Sequence, residues 1–299
     1  MKPDGINSPE SEVRNQGNAP ALSVFILARN EEKNLERCLD TLRWCRDIHL
    51  IDSNSTDRTV EIAEAYGVAV HRHVFEGHTE QRKWALRNVP FRNEWVLALD
   101  ADHRVTPELQ QELILKFNTA PQNVDGFYVK RRQIFRGRWL KHGGYYPKYM
   151  LKIFKHRLAF LDDLEFDYRF YVKGRTALLA HDIEEDNLNE GSIGFFVEKH
   201  NRFATEQATE ELKRRRENIA YLVNASFWGN PDQRTLKLKQ IWYRLPLYCR
   251  PFLLFMYRYV LRLGFLDGKE GFIFYFLQSL WFRLLVDIKI EEMLSNCDE

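Results

Sequence analysis

Short apolar runs alternate with amphipathic stretches along the first 120 residues of the chain. The runs are rich in Val, Ile, Leu and Phe, which is typical of strands buried on both faces of a parallel sheet. Strands are predicted over residues 22–28, 48–51, 68–70 and 95–99. The stretches between them have apolar residues at helical spacing and predict helices over residues 30–42, 59–66 and 78–89, with a fourth opening at Thr106. These β-α repeats predict a parallel, doubly wound α/β sheet.

Polar residues follow three of these strands where each strand ends. They occupy positions 28–31, 52–55 and 100–102. Ligands of doubly wound sheets bind outside the carboxyl ends of the strands, so these residues are candidates for a binding site. The absence of a GxGxxG or GxxxxGK[ST] sequence argues against a dinucleotide site and against a P-loop.

Among these candidate binding residues, Asp100 and Asp102 give the most specific signal. Alternation along an extended chain puts both carboxylates on the same side. Two such groups repel each other unless a cation or hydrogen-bond donors neutralise them, and Mg²⁺ or Mn²⁺ prefers oxygen ligands. The pair therefore predicts a divalent metal that also takes up substrate phosphates. The alternative is a solvated acidic turn before the helix at Thr106.

Four segments in a fixed order give the chain a resemblance to glycosyltransferase family 2, which has the GT-A fold. They are residues 22–32, 51–59, 77–86 and 98–102, and the resemblance extends over residues 20–205. The stretches at 137–155 and 198–204 are similar to those of bacterial enzymes that build lipopolysaccharide core or exopolysaccharide.

This resemblance implies contacts with a nucleotide-sugar donor. Asp52 would accept a hydrogen bond from the uracil ring, Arg82 would contact the base or a phosphate, and Asp102 would carry the metal. The implied donor-binding positions are Ala28, Arg29, Glu31, Asp52, Arg82 and Asp100. Without the resemblance, each residue has a structural alternative to donor binding. Asp52 could be a turn-capping side chain, and Arg82 could be a solvated charge on a helix.

The catalytic base is expected in the acidic stretch at 182–186. Inverting transfer needs a carboxylate that takes a proton from the acceptor hydroxyl. The resemblance points to Asp186, with Glu185 next, whereas Glu165 and Asp167 are rivals and a solvated acidic loop is the plain alternative.

Two further segments complete the expected catalytic domain. Residues 126–132 and 149–155 alternate like antiparallel strands and predict the acceptor side of the sheet. Residues 142–144, His-Gly-Gly, predict a loop that closes over the donor.

The last third of the chain is basic and aromatic, and no acidic residue lies between Gln233 and Leu266. Arg250, Arg258 and Arg262 fall within one third of a helix circumference, which favours a helix lying in the interface of an anionic membrane.

A second apolar helix is predicted over residues 272–290, with a polar stripe at Ser279, Arg283, Asp287 and Glu291. Charges at bilayer depth are costly, so an in-plane helix pair is favoured over a spanning one. Packing of both helices on the catalytic domain is the alternative.

Composition narrows the class of protein. The chain has 299 residues, a net charge of +2 and 44% hydrophobic residues, which argues against wholesale disorder and against a nucleic-acid binder. Its four cysteines lack metal-binding spacing and are expected to be reduced thiols. We expect a disordered, polar tail without a signal peptide over 1–20, a GT-A domain over 21–205 and a helical membrane-surface region over 206–299.

The predicted function is that of an inverting, metal-dependent hexosyltransferase. Its donor is expected to be a UDP-sugar, and its acceptor a lipid-linked saccharide or a lipopolysaccharide or exopolysaccharide precursor at the cytoplasmic face of the inner membrane. Two alternatives remain open. One is a polyprenyl-phosphate glycosyltransferase, and the other is a non-catalytic, membrane-associated scaffold of polysaccharide assembly.

Overall fold

The computed structural model describes residues 20–119, 121–162, 169–217 and 221–296. The predicted β-α repeats are present in the first of these ranges. The strands are β1 (Leu22–Ala28), β2 (Ile48–Asp52), β3 (Ala69–Arg72), β4 (Trp95–Asp100) and β5 (His103–Val105). The helices are α1 (Glu32–Asp40), α2 (Thr59–Ala65), α3 (His78–Asn88) and α4 (Pro107–Asn118). Thr106 caps α4, as predicted, by accepting a hydrogen bond from the Leu109 amide.

The chain after α4 is built mostly of strands up to Glu185, and helices follow. The strands are β6 (Gly126–Phe135), β7 (Arg138–Leu140), β8 (Lys148–Lys155), β9 (Ala159–Leu161), β10 (Phe170–Val172) and β11 (Thr176–Glu185). The helices are α5 (Ile193–Glu217), α6 (Pro231–Trp242), α7 (Cys249–Phe255), α8 (Gly268–Tyr275) and α9 (Phe282–Ser295). Two π-helical segments, Met256–Leu261 and Phe276–Trp281, extend α7 and join α8 to α9.

The central sheet is mixed. Its order is β3-β2-β1-β4-β8-β6-β11-β5, with β7 paired to β6. Strands β1 to β4 are parallel, whereas β8 runs antiparallel to both β4 and β6, as the alternation at 126–132 and 149–155 predicts. The first half thus aligns its strand ends for binding, and the second half extends the sheet beside them.

Apolar side chains cover both faces of the central strands. Along β1, Val24 and Ile26 lie in one buried cluster and Phe25 lies in another on the opposite face. Burial on both faces explains why the run is continuously apolar.

The predicted basic, aromatic helix is interrupted, and its arginines do not share an exposed face. Helix α6 ends at Trp242, and α7 begins only after Tyr248, whose φ of 66° breaks the helical path. Arg250 is fully buried, and its guanidinium binds the carboxylates of Asp287, at 2.8 Å from Nε, and Glu211, at 2.8 Å from Nη1. The prediction of a lipid-facing Arg250 is therefore wrong, because its partners come from helices distant in the sequence.

The polar stripe of the last helix also faces the protein interior. Ser279 Oγ lies 3.3 Å from Nη1 of Arg258, and Arg283 donates to Gln207 of α5 at 2.9 Å. Large apolar side chains instead point outward from the C-terminal helices. We call this set the apolar face; it comprises Phe252, Leu253, Met256, Val260, Leu261, Leu263, Phe265, Leu266, Phe272 and Phe276.

One helical segment among the described residues, Gly264–Ser295, is long and apolar enough to cross a membrane by length and composition. Because Arg283 and Asp287 on this segment bind α5 and α7, the segment is held against the rest of the protein.

One helix, α5, joins the sheet-containing part of the chain to the C-terminal helices without a break. The predicted boundary at 205/206 falls inside α5, so it does not separate two domains. Residues 142–144, predicted as a loop that closes over the donor, are instead fastened to the C-terminal region. His142 donates its backbone amide to Asp267 at 3.0 Å and accepts a hydrogen bond at its carbonyl from Tyr275 at 2.9 Å. The Gly143 amide donates to the Arg262 carbonyl at 2.9 Å.

Candidate active site

The ends of three parallel strands bring the predicted site residues to one edge of the sheet. Ala28 of β1 lies opposite Asp52 of β2, and its neighbour Leu27 lies opposite Asp100 of β4. The predicted convergence of these strand ends is therefore present.

Asp52 is buried beside Ala28 and closes its own turn. Both carboxylate oxygens accept a hydrogen bond from the Ser55 amide at 3.2 Å. The Ser53 amide donates to the Ala28 carbonyl at 3.0 Å, which joins the loops after β1 and β2. Within the protein, Asp52 therefore acts as a turn-capping side chain, which was the alternative interpretation from the sequence.

Arg29 and Glu31 extend from the loop after β1 in different ways. Arg29 is exposed, and its guanidinium lies 5.9 Å from the centre of the Phe75 ring. Glu31 is partly buried and accepts a 2.6 Å hydrogen bond from Asn34. Burial, with the nearby Asp102 carboxylate, raises the pKa of Glu31 to about 7. At neutral pH this carboxyl is therefore close to half protonated.

Two cations neutralise Asp100. Arg82 donates to one carboxylate oxygen at 2.5 Å, and Lys152 of β8 donates to the other at 3.1 Å. Burial alone would raise the pKa of Asp100, but Lys152 and Arg82 outweigh it and hold that pKa well below its usual range. Arg82 is itself buried, so it is an internal partner of Asp100 rather than a solvated helix charge.

Asp102 lies in the turn after β4 and lacks such partners. Among the described residues, its carboxylate accepts one hydrogen bond, from the side-chain Nδ2 of Asn187 at 3.0 Å. Burial raises the pKa of Asp102, His103 partly offsets this, and the carboxylates of Glu185 and Asp100 add to it. A partly buried carboxylate beside other carboxylates fits a hard divalent cation.

The described residues do not form a complete metal cage of three or more His, Cys, Asp or Glu side chains. A Mg²⁺ or Mn²⁺ ion held by Asp102 would take its remaining ligands from phosphate and water, as these ions commonly do.

The two candidates for the catalytic base both lie beside this site. Asp186 accepts hydrogen bonds from Arg37 at 2.8 Å and from Arg104 at 3.0 Å. Its backbone amide also donates to the Asp102 carbonyl at 3.0 Å, so the end of β11 is tied to the turn after β4. The rivals Glu165 and Asp167 lie outside the described residues.

Glu185 is bound by Arg131 and His103. The guanidinium of Arg131 lies 2.6 Å from Oε2, and His103 Nε2 lies 3.3 Å from the same oxygen. Because Nδ1 of His103 accepts the Asp100 amide, Nε2 carries the proton and donates. Burial would raise the pKa of Glu185, but Arg131 and His103 outweigh it and hold that pKa below its usual range.

Sequence reasoning identified Arg82 but missed the other cations of this site. Lys152 is the clearest case, since it lies between Leu151 and Ile153 in a strand where all three side chains are buried. A lysine at such a position needs an anionic partner, which was an available signal. No comparable signal marks Arg37 or Arg104, because both lie on partly exposed elements and their partner is nearly 150 or about 80 residues away.

A solved structure shares this β-α sheet and its extension by antiparallel strands. The mannosyltransferase PcManGT from Pyrobaculum calidifontis, solved with GDP-Man and Mn²⁺, has the same fold with a TM-score of 0.52 and 15% sequence identity. The alignment covers 91% of this chain and 87% of that one. The predicted GT-A class of fold is therefore confirmed.

The family model for glycosyl transferase family 2 matches residues 23–173, about half of the chain. The chain therefore belongs to glycosyltransferase family 2, and the predicted resemblance is confirmed.

Curated relatives agree with this family over a limited length. The lipopolysaccharide core biosynthesis glycosyltransferase LpsC of Rhizobium meliloti is 33% identical over 122 residues, which cover 39% of this chain and 44% of LpsC. An uncharacterized glycosyltransferase of Rickettsia bellii is 36% identical over 107 residues, 36% of this chain and 35% of that protein. The chain thus matches less than half the length of these relatives.

Proposed function

We propose that this chain is an inverting, metal-dependent glycosyltransferase that moves a sugar from a nucleotide-sugar donor to a lipid-linked saccharide or lipopolysaccharide precursor. One observation carries the proposal: Asp102 is a partly buried carboxylate without a cationic hydrogen-bond partner among the described residues, beside Asp100, which two cations neutralise. In such a donor site the carboxylate of Asp102 is available to bind a metal, whereas that of Asp100 already forms ion pairs with Arg82 and Lys152.

The residues around the two carboxylates divide the work of donor binding. Asp102 would hold Mg²⁺ or Mn²⁺, and Asp100 would be kept ionised by Arg82 and Lys152 for contact with the ribose. When bound, the metal supplies positive charge to the diphosphate leaving group. Ala28, Asp52 and the loop after β1 would surround the nucleoside, for which a UDP-sugar is the first candidate.

The acceptor hydroxyl needs a base, and the end of β11 provides the candidates. Asp186 and Glu185 are both oriented by fixed hydrogen bonds at the edge of the site. Arg131 and His103 hold the pKa of Glu185 below its usual range, which makes Glu185 a weak base in this arrangement. Asp186 accepts its hydrogen bonds from Arg37 and Arg104 at Oδ2 and would take the hydroxyl proton at its other carboxylate oxygen.

This pairing also favours a second candidate, the polyprenyl-phosphate glycosyltransferase. A lipid phosphate is already ionised and attacks without a base, so the strong pairing of Asp186 and Glu185 would not impede it. Full activity of an Asp186→Asn enzyme would favour this second function, whereas loss of activity would favour a hydroxyl acceptor.

The C-terminal helices support a peripheral location on the cytoplasmic face of the inner membrane. Arg250, Ser279 and Asp287 are buried, whereas the ten large side chains of the apolar face are exposed, which suits helices that lie against a bilayer. An in-plane arrangement buries the apolar face in the interface without moving Asp287 or Arg283 into lipid.

Calorimetry tests the proposed donor site. We expect UDP, or failing that GDP, to bind the purified protein in the presence of Mn²⁺ and to bind far more weakly in EDTA. An Asp102→Asn variant should weaken Mn²⁺-dependent binding by roughly 100-fold, the scale on which altered metal sites lose affinity.

The matched control is Asp40→Asn, on the exposed end of α1 away from the strand ends, which should bind as the wild type does. Absence of nucleotide binding with either metal would contradict the transferase and leave the scaffold as the better account. Equal binding by the wild type and Asp102→Asn would contradict the metal assignment alone.

A further inference from the structure

The segment between Asp125 and Asp162 has an unusual charge composition. Residues 126–161 contain no Asp or Glu. They contain ten basic side chains, namely Lys130, Arg131, Arg132, Arg136, Arg138, Lys141, Lys148, Lys152, Lys155 and Arg157. So large a positive excess within one stretch of a chain of net charge +2 requires either partners elsewhere in the fold or a ligand.

The basic residues nearest the active site have partners within the protein. Asp182 binds Lys130 and Arg132, at 3.4 and 2.7 Å. Arg131 binds Glu185 and Lys152 binds Asp100, as described above. These four side chains are therefore occupied by the internal electrostatics of the site.

Three basic residues in the turn after β6, in β7 and directly after β7 are not paired in this way. Arg136, Arg138 and Lys141 are exposed, and none has a carboxylate partner within ion-pair distance among the described residues. Arg136 and Gly137 form the tight turn between β6 and β7, with φ values of 51° and 79°. Both values are positive, as a two-residue hairpin turn of this class requires. The turn therefore has a defined backbone conformation, which fixes the positions of Arg136 and Arg138.

These three cations line one groove of about 610 Å³. Its other wall is the turn Leu266–Asp267 before α8. Asp267 also lines the groove, but it is 2% exposed, its oxygens accept hydrogen bonds from the backbone amides of Lys141 and His142 and from the Tyr275 hydroxyl, and Oδ1 lies 2.7 Å from Nδ1 of His142. The three exposed cations therefore outnumber this single, buried carboxylate. Arg138 donates to the Leu266 carbonyl at 3.4 Å, which closes the groove at that side.

The groove adjoins the apolar face. Leu263, Phe265 and Leu266, next to its wall, are 47%, 45% and 49% exposed. Apolar side chains beside a cluster of Lys and Arg are the arrangement by which a peripheral protein meets an anionic bilayer, with the apolar groups at the acyl boundary and the cations at the phosphates.

We propose that this groove, formed by Arg136, Arg138 and Lys141 against the turn Leu266–Asp267, binds the phosphate of an anionic membrane-lipid headgroup. The inference rests on the membrane-facing orientation given under the proposed function, but not on the transfer reaction. The phosphate contact belongs to the catalytic sheet rather than to the C-terminal helices, so the sheet itself is fixed relative to the membrane.

Vesicle flotation of the full chain tests this inference. The vesicles contain phosphatidylcholine alone or phosphatidylcholine with phosphatidylglycerol. An Arg136→Gln, Arg138→Gln, Lys141→Gln triple variant should lose about 100-fold in partition to the anionic vesicles, from roughly a factor of five to six per basic residue at a membrane surface. Partition to the neutral vesicles should be unchanged, because the apolar face is intact.

The matched control removes three exposed basic residues from the opposite end of the sheet, in the variant Arg46→Gln, Arg87→Gln, Lys173→Gln. It has the same net charge as the test variant and should partition as the wild type does. Equal losses in the two variants, or no loss in the test variant, would overturn the inference.

Two additional measurements distinguish a lipid phosphate from a soluble anion, and separate the groove from the nucleotide site. Release of the protein by inorganic phosphate, at an ionic strength matched with chloride, would identify a soluble anion as the occupant and overturn the lipid assignment. Mn²⁺-dependent nucleotide binding by the triple variant should equal that of the wild type. If the wild type does not bind nucleotide at all, the proposed function is contradicted, but the vesicle result still tests the lipid site.

Discussion

Replacement of Glu31 by Gln should stabilise the protein at alkaline pH. Glu31 is held in a partly buried position near Asp102, and its pKa is raised from 4.5 to about 7. The native state therefore prefers the protonated carboxyl, and the stability it contributes falls as the pH rises from 4.5 through 7. The difference of about 2.5 pKa units corresponds to about 3 kcal/mol of penalty for the ionised form at pH 8.

The Gln variant removes this ionisation and keeps an oxygen to accept the hydrogen bond from Asn34. Its unfolding free energy should exceed that of the wild type by about 3 kcal/mol at pH 8 and by less than about 1 kcal/mol at pH 5. For a chain of this size, the advantage at pH 8 corresponds to a rise of about 6 °C in Tm.

The assay is thermal unfolding followed by tryptophan fluorescence, in EDTA so that a bound cation does not offset the carboxylate charge. Glu36→Gln, at an exposed position of the following helix α1, is the matched control and should show no pH-dependent difference from the wild type. An advantage of Glu31→Gln that is equal at pH 5 and pH 8 would refute the assignment of a raised pKa to this side chain.

Two further variants probe buried charges. Lys152→Met leaves Asp100 with one cation and should lower the free energy of unfolding by about 3 kcal/mol in urea titrations, whereas the exposed Lys173→Met should change it by less than about 0.5 kcal/mol. Arg250→Met leaves the buried Asp287 carboxylate without a cation and Glu211 with Arg215 alone, and should cost about 4 kcal/mol. The exposed Arg262→Met should cost less than about 0.5 kcal/mol, and equal effects within either pair would contradict the burial assigned to Lys152 and Arg250.

The sequence was sufficient for the parallel half of the sheet and for the position of the site. Strand β1 spans residues 22–28 as predicted, because burial on both faces leaves a continuous apolar run that local pattern reveals. Asp52 and Asp100 meet because parallel strands bring their carboxyl ends to one edge, which is a consequence of topology rather than of local sequence.

The pairing of charges could not be predicted from the same patterns. Arg250, Arg258 and Arg262 share one third of a helical wheel, yet only Arg262 is exposed. The partners of Arg250 lie on α5 and α9, 39 and 37 residues away, and helical periodicity contains no information about contacts over that separation. The same reason explains why Asp186 was identified as a candidate base without its two arginines.

The attachment of residues 142–144 to Asp267 and Tyr275 has a geometric consequence for the acceptor. It joins the edge of the sheet to the C-terminal helices through short hydrogen bonds, without a flexible linker. With the apolar face in the bilayer, the donor site would stand at a constant height above the lipid phosphates. The enzyme would then select acceptors by the distance between their lipid anchor and their reacting group, so that a saccharide one unit too short or too long would fail to reach the donor.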